Sequence, residues 1–207
     1  MKFYHFPNIG FLEDELSKES IKKLNKYIKD SYKKVNYDLA GNITKSNQLI
    51  DKDNWFFNNE LSKFINAYIK TFGDEVIPNV LSKNCHYYLH KFWVNFQKKY
   101  EFNPMHNHAG IFSFVIWLKI PASYKEEKKL SFVKECNNPS PNTFSFVFTN
   151  SLGKVAHYNY NLEPSDEGKI LFFPSSLSHM VYPYYTSNKE RISISGNIHF
   201  DVERLYQ

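Results

Sequence analysis

The chain has 207 residues, of which 42% are hydrophobic, and a formal net charge of +5; this is enough apolar sequence for one substantial core. The basic residues are scattered or lie on a predicted helix face, so a nucleic-acid-binding surface is not indicated. The chain contains no run of membrane-spanning length, no signal peptide, and no metal or redox spacing of its two cysteines. We therefore expect a soluble cytoplasmic protein that forms a single domain over residues 1–207.

The N-terminal third is predicted to form two amphipathic helices. Residues 1–12 fit a short strand and a turn, and the polar segment 37–54 is rich in turn residues. Apolar residues recur at helical spacing in two stripes: Ile21, Leu24, Ile28, Tyr32 and Val35, then Leu61, Phe64, Ile65, Tyr68 and Phe72. Gly73 suits the end of the second helix. These helices, within about residues 13–73, should act as a buttress against one face of a sheet.

The remainder of the chain, about residues 80–203, is predicted to be mainly β. Alternating or continuous apolar runs predict strands at residues 84–100, 105–121, 144–150, 154–164, 170–174 and 191–202, and an aromatic strand near 181–185. Residues 122–143 are charged at first, then rich in Asn, Pro and Ser, and indicate a long excursion. Short antiparallel strands of this kind favour a barrel or a sandwich.

The last predicted strand carries a row of polar residues on one face. Arg191, Ser193, Ser195 and Asn197 alternate with Ile192 and Ile194, and a strand points every second side chain to the same side. An arginine beside small hydroxyls suits a carboxylate, because guanidinium binds carboxylate through two parallel hydrogen bonds. The alternative is a half-exposed strand whose polar face lies in water.

A candidate metal site lies upstream of this strand. His106 and His108 are two residues apart on an extended segment, so both imidazoles can reach one ion. A third ligand must come from elsewhere, and His179 is predicted to lie in a loop directly after an apolar strand. A single histidine is more often structural than a ligand, so the pair and its third partner carry this hypothesis together.

These residues resemble the motif of the iron(II)- and 2-oxoglutarate-dependent oxygenases. That superfamily has a first His, an acidic residue two positions later, a distal His, and an Arg some ten residues after it. The chain offers His106, His179 and Arg191, with Ser193 two residues beyond the arginine. The segments 38–43, 93–121, 168–183 and 190–198 are more similar still to small oxygenase-like proteins of tailed bacteriophages, including cyanophages. The acidic position of the motif is His108 here, so either three imidazoles bind the ion or one of His106 and His108 is not a ligand.

The resemblance implies a double-stranded β-helix (jelly-roll, cupin-like) barrel buttressed by two or more helices. It implies Fe(II) bound by His106, His108 and His179, with 2-oxoglutarate and O₂ as co-substrates. It further implies that Arg191 and Ser193 hold 2-oxoglutarate, with Asn95 and Asn197 as further contacts. The expected reaction couples decarboxylation of 2-oxoglutarate to oxidation of a substrate C–H bond. The primary substrate stays unidentified, a homodimer stays open, and a phage-encoded protein would act in the host cytoplasm.

Two alternatives remain at the level of the sequence. A three-His, cupin-type metal enzyme that does not use 2-oxoglutarate fits the missing carboxylate better, because carboxylate is the common third ligand in non-haem iron oxygenases. It fits Arg191 and Ser193 less well. A non-catalytic phage accessory protein that keeps the barrel is the second alternative.

Overall fold

The structure, a computed structural model, describes residues 1–2, 8–77 and 85–202. Ten strands lie in this part of the chain: β1 (Leu12–Glu15), β2 (Lys45–Gln48), β3 (Tyr87–Gln97), β4 (Asn103–His106), β5 (Phe112–Lys119), β6 (Thr143–Thr149), β7 (Val155–Asn161), β8 (Lys169–Pro174), β9 (Ser178–Val181) and β10 (Arg191–Phe200). The α-helices are α1 (Lys18–Lys29), α2 (Ser62–Phe72) and the single turn α3 (Tyr124–Glu127). Shorter helical turns are Asn36–Asp38, Lys52–Asn54, Pro164–Asp166 and the π-turn Phe57–Leu61.

The strands form two antiparallel sheets. The larger sheet has the order β1-β8-β5-β10-β3-β2, and the smaller has the order β4-β9-β6-β7. The hairpin predicted from residues 144–164 is confirmed, because β6 pairs with β7. The mainly β prediction is therefore confirmed, and β10 lies centrally, paired with β3 on one side and β5 on the other.

The larger sheet is covered on both faces, which explains why its strands β5 and β8 are continuous apolar runs. Along β5, Phe112, Phe114 and Ile116 pack in the cluster that includes the helices, whereas Val115 and Trp117 pack in the cluster that includes the smaller sheet. The side chains of strand β8 likewise alternate between the two clusters. The helices thus cover one face of the larger sheet and the smaller sheet covers the other, as expected for a buttressed barrel.

The two long helices form where local signals favour them. The Ser17 hydroxyl caps α1 by accepting from the Ser20 backbone N–H, and the buried face of α1 carries Leu24 and Tyr27. The second helix ends at Gly73, whose φ of 83° lies in the region that favours glycine. Replacing a buried leucine such as Leu24 with alanine should cost about 2–5 kcal/mol of stability. Within the described ranges, no helix is long and apolar enough to cross a membrane.

Three predicted elements in the N-terminal region differ from the structure. Tyr32 and Val35 lie outside α1, because residues 33–35 hydrogen-bond along β2 instead of continuing the helix. The segment 37–54, which is rich in turn residues, also contains β2, which pairs with β3. No strand lies within residues 1–2 and 8–11, and residues 3–7 are outside the described ranges; the first strand, β1, begins at Leu12 and pairs with β8.

The strands near the candidate site also differ from the prediction. The run 105–121 is broken, since residues 107–111 form a turn in which Gly110 has a φ of 113°. His179 is predicted in a loop but belongs to β9, where it pairs with His106 of β4 and Phe146 of β6. The aromatic segment after β9 is irregular, because residues 182–190 leave the sheet before β10 begins. The expected barrel limits, near residues 80 and 203, lie outside the described ranges.

Candidate metal centre and ligand cavity

Three histidines converge at one end of the smaller sheet. His106 lies directly opposite His179 in the β4–β9 pairing, so both side chains leave the sheet on the same face. His108 follows in the turn after β4, and one ring nitrogen from each histidine lies within 4.8 Å of the others. Two nitrogens bonded to one ion at about 2.1 Å are at most about 4.2 Å apart. Small inward rotations of the rings would therefore bring all three nitrogens onto one ion.

Backbone carbonyls set the protonation of two of these rings. Nδ1 of His106 lies 2.7 Å from the Pro104 carbonyl oxygen, and Nδ1 of His179 lies 2.9 Å from that of Leu177. A carbonyl only accepts, so each Nδ1 carries the proton and donates it, which leaves the lone pair on Nε2. Metal-binding histidines are commonly oriented in this way. His108 has no comparable side-chain hydrogen bond within the described residues; its ring instead packs edge-on to Trp93 at 5.7 Å.

Burial keeps the three imidazoles neutral. His179 packs against Phe144 and Phe173, with ring centroids 5.3 and 5.0 Å away. Burial, assisted by the neighbouring His106, lowers the pKa of His179 to about 3. Burial likewise lowers the pKa of His108 to about 4 and lowers that of His106. At neutral pH the cluster therefore presents three uncharged nitrogen donors, the form that binds a divalent ion.

Arg191 is a buried cation in the same barrel interior. Its side chain is 1% exposed, and its guanidinium donates to Gln97 Oε1 at 3.2 Å, Asn142 Oδ1 at 3.0 Å and the Tyr182 carbonyl at 3.0 Å. Burial lowers its pKa to about 10, so it remains charged at neutral pH. No carboxylate forms an ion pair with it among residues 1–2, 8–77 and 85–202. The alternative of a strand face in water is therefore wrong for Arg191.

An inner cavity joins the arginine to the histidines. Its lining includes the three histidines, Arg191, Ser193 and Asn95. Ser193 and Asn95 lie opposite each other on β10 and β3, two residues along each strand from the Arg191–Gln97 pair. The Ser46 hydroxyl donates to Asn95 Oδ1 at 2.7 Å, so the amide NH₂ is the end of Asn95 that is left for a ligand. The cavity is small, about 30 Å³, which is room for one or two water molecules.

Asn197 does not join this group. It lies farther along β10 and faces an outer pocket of about 440 Å³, whose lining also includes His90, Lys91 and His199. The outer pocket shares Trp93, His106 and His108 with the inner cavity. The histidine cluster therefore stands between a narrow interior space that reaches Arg191 and a larger space at the barrel mouth.

Sequence reasoning missed several residues that shape the site. Gln97 follows Asn95 at strand spacing, so alternation along β3 could have identified it. Asn142 gave no such signal: it is fully buried, and its NH₂ donates to the carbonyls of Ala122 and Leu162 while its oxygen accepts from Arg191.

The excursion 122–143 also supplies Glu127. Its buried carboxylate accepts from the backbone N–H groups of Tyr185 and Thr186, which follow the Tyr184 ring that packs over Arg191.

Comparisons with known proteins agree with this geometry. Residues 91–197 match the family model described as "Putative 2OG-Fe(II) oxygenase". The chain is similar to the crystal structure of an oxidoreductase of the 2OG-Fe(II) oxygenase family from Burkholderia pseudomallei, with 12% identity, a TM-score of 0.51, and coverage of 92% of this chain and 84% of that chain. It is also similar to the non-heme alpha ketoglutarate dependent carbocyclase SnoK from nogalamycin biosynthesis, with 10% identity, a TM-score of 0.55, and coverage of 93% and 80%. No curated protein sequence matches the chain.

Because the sequence identities are low, the similarity to these solved structures shows only the fold, which is the double-stranded β-helix. The family match covers more than half of the chain, and it includes the three histidines and Arg191. The chain therefore belongs to the 2OG-Fe(II) oxygenase family.

Proposed function

We propose that this protein is an Fe(II)- and 2-oxoglutarate-dependent dioxygenase that oxidises a C–H bond of a substrate not yet identified. His106, His108 and His179 hold the metal, and Arg191 with Ser193 and Asn95 holds 2-oxoglutarate. The observation that carries the proposal is a buried, charged Arg191 with no carboxylate partner in the described residues, in the cavity that the three histidines also line. The closer resemblance to phage proteins stays a prediction.

The histidine cluster fits a divalent ion. It offers three neutral nitrogens, two of them oriented by backbone carbonyls before any ion arrives. When bound, iron(II) would supply chemistry in which O₂ is the oxidant, one oxygen atom going to 2-oxoglutarate as it decarboxylates to succinate and the other oxidising the substrate. The residues of the chain position the ion, and the aromatic rings of Phe144 and Phe173 exclude water from His179.

Arg191 fits the far carboxylate of 2-oxoglutarate. A guanidinium has five N–H donors, and three of them are used by Gln97, Asn142 and Tyr182. One N–H therefore remains on each terminal nitrogen, and both are available to a ligand carboxylate. An unpaired buried cation is costly, whereas the same cation paired with a ligand carboxylate is not. The 30 Å³ cavity must widen to admit a five-carbon dicarboxylate.

A second candidate is a three-His metal enzyme that does not use 2-oxoglutarate. The specific observation in its favour is the ligand group itself, since the cluster of potential ligands consists of three histidines without a carboxylate. Three imidazoles suit Zn, Cu or Ni at least as well as Fe(II). The unpaired charge of Arg191 argues against this candidate, because such an enzyme gives that charge no partner.

Anaerobic titration tests the proposal. Wild-type protein should bind one Fe(II) or Mn(II), and 2-oxoglutarate should bind only to the metal-loaded form. His179→Ala should abolish both events, whereas the matched control His157→Ala, on an exposed position of β7, should retain both. Metal binding without 2-oxoglutarate binding would favour the three-His enzyme. Failure to bind metal would favour the non-catalytic accessory protein.

A further inference from the structure

The outer pocket is placed to receive the primary substrate. Its volume of about 440 Å³ lies in the usual range for small-molecule sites. It reaches the metal cluster directly, because His106 and His108 form part of its wall. If the inner cavity takes 2-oxoglutarate, as proposed above, the outer pocket is the space left beside the metal for a second molecule.

A β-bulge turns an additional residue of β3 toward this pocket. Asn197 pairs with Lys91 and Ile198 pairs with Leu89, so His90 is an extra residue without a partner on β10. Because of the bulge, the odd-numbered residues before and after it lie on opposite faces of β3. Leu89 packs toward the helices, whereas Lys91 and Trp93 line the pocket. As a result the consecutive residues His90 and Lys91 both line it.

A buried network fixes Asn197 on the neighbouring strand. The Ser113 hydroxyl donates to Asn197 Oδ1 at 2.9 Å and lies 2.8 Å from the Ser175 hydroxyl. The Ser175 carbonyl in turn accepts from the backbone N–H of His108 at 2.9 Å. With its oxygen used, Asn197 turns its NH₂ to the pocket, and this NH₂ has no hydrogen bond within the described part of the chain. Asn197 is 5% exposed as a residue, and the hydrogen bond from Ser113 holds its side chain in place.

Lys91 supplies a charge beside this donor. It lies directly across from Asn197 on the adjacent strand and lines the same pocket. No ion pair of Lys91 occurs among the described residues. Asp38 also lines the pocket, so we assign anion binding to Lys91 and Asn197, which lie across from each other on adjacent strands.

We propose that the primary substrate is a small hydrophilic molecule with a carboxylate or phosphate group, and that the Lys91 ammonium and the Asn197 amide bind this group. That this molecule is the substrate rests on the proposed function, whereas the anion site does not depend on it. An ammonium and a fixed N–H donor on adjacent strands form a charge-assisted pair of hydrogen bonds to an oxyanion. The histidines at the pocket's inner wall then face the rest of the molecule.

Fluorine NMR of fluorotryptophan-labelled protein tests the anion site directly. Trp93 lines the pocket two residues from Lys91 on the same face, and Trp93→Phe assigns its signal among the three tryptophans. Inorganic phosphate and sodium acetate are titrated separately into metal-free protein without 2-oxoglutarate. We expect at least one of them to shift the Trp93 signal with saturation, and the tighter of the two identifies the oxyanion.

Two variants should weaken this binding by roughly tenfold. Lys91→Met removes the charge, and Asn197→Asp keeps the acceptor for Ser113 while replacing the NH₂ donor with a repelling oxygen. Lys154→Met, at an exposed lysine outside the pocket, and Arg191→Met, in the inner cavity, should bind as wild type does. Absence of a saturable shift with both anions, or equal binding by Lys91→Met and wild type, would overturn the proposal.

The same titration separates this proposal from the proposed function. Because it uses neither metal nor 2-oxoglutarate, a phosphate or acetate site that depends on Lys91 supports the anion site even if the metal titration fails. Conversely, if the protein binds metal and 2-oxoglutarate but neither anion, the proposed function stands and the assignment of the substrate class is wrong.

Discussion

Exchanging the amide of Asn142 for a carboxylate should impair 2-oxoglutarate binding without affecting the metal. The side-chain oxygen of Asn142 lies 3.0 Å from an Arg191 terminal nitrogen, and its NH₂ donates to the carbonyls of Ala122 and Leu162. These two carbonyls fix the direction of the amide, so in Asn142→Asp a negative charge would face the guanidinium. Arg191 would then have an internal counter-ion at the place where we propose that it awaits a ligand carboxylate.

The size of the effect follows from Coulomb's law. A ligand carboxylate sharing the guanidinium with Asp at residue 142 would lie about 5 Å from it, and at an effective dielectric of about 20 the repulsion is about 3 kcal/mol. That corresponds to a loss of roughly a hundredfold in affinity. The variant also leaves two carbonyls without donors, which costs about 1–3 kcal/mol each, and the new Arg–Asp ion pair offsets part of this loss.

Calorimetric titration of Mn(II), followed by 2-oxoglutarate, measures both events in one sample. Asn138→Asp is the matched control, because it makes the same chemical change at an exposed position in the same excursion. Gln97→Glu places a charge on the other side of the guanidinium and should act as Asn142→Asp does, which keeps the test valid if one variant folds poorly. Unchanged 2-oxoglutarate affinity in a folded, metal-binding Asn142→Asp or Gln97→Glu protein would refute the assignment of Arg191.

Three further predictions concern the metal ligands and Arg191. Elemental analysis should find less than one metal ion per chain in His108→Ala, whereas His108→Asp should retain iron. A metal-loaded His108→Ala protein would show that His108 is not a ligand. Arg191→Met should keep the metal but weaken 2-oxoglutarate by roughly tenfold or more, since the lost charge-assisted bond is worth about 1.5–3 kcal/mol, and equal affinity in calorimetry would contradict this. The pKa of His108 is lowered to about 4 and that of His179 to about 3, whereas unfolded histidine titrates near 6.5. The unfolded state therefore binds more protons than the folded state below about pH 6.5. Urea denaturation of metal-free protein should show full stability above that pH and a loss of up to about 1.4 kcal/mol per pH unit per histidine below it. Equal stability at pH 7 and pH 5 would contradict the burial of these rings as neutral groups.

The features that local spacing controls could be read from the sequence. The alternation along β10 predicted that Arg191 and Ser193 share a face, and the structure places both in the lining of the inner cavity. The two-residue spacing of His106 and His108 predicted that their rings approach, and the ring centroids lie 4.9 Å apart. For β10 the geometry of an extended backbone is sufficient to relate neighbouring positions, whereas His108 approaches His106 from the turn that follows β4.

Other features depend on pairing between distant segments, which periodicity does not report. The bulge at His90 is visible only once β3 is set against β10, about a hundred residues later in the chain. The short strand β9 follows from pairing with β4 and β6 rather than from its own four residues. Asn142 acts on Arg191 from an irregular segment whose composition indicates only a loop. The position of Asn197 in the outer pocket likewise depends on its place along the barrel axis, which alternation alone does not give.

The narrowness of the inner cavity has a consequence for affinity. A space of about 30 Å³ excludes 2-oxoglutarate, so the co-substrate that we propose would bind only to the fraction of molecules in which the lining side chains have moved apart. The apparent dissociation constant is then the intrinsic constant divided by that fraction, so a cavity open about 1% of the time would weaken binding about a hundredfold. Contacts with Arg191 alone would therefore not determine how tightly the proposed co-substrate is held, because the population of the open conformer would also set the concentration of 2-oxoglutarate at which the site fills.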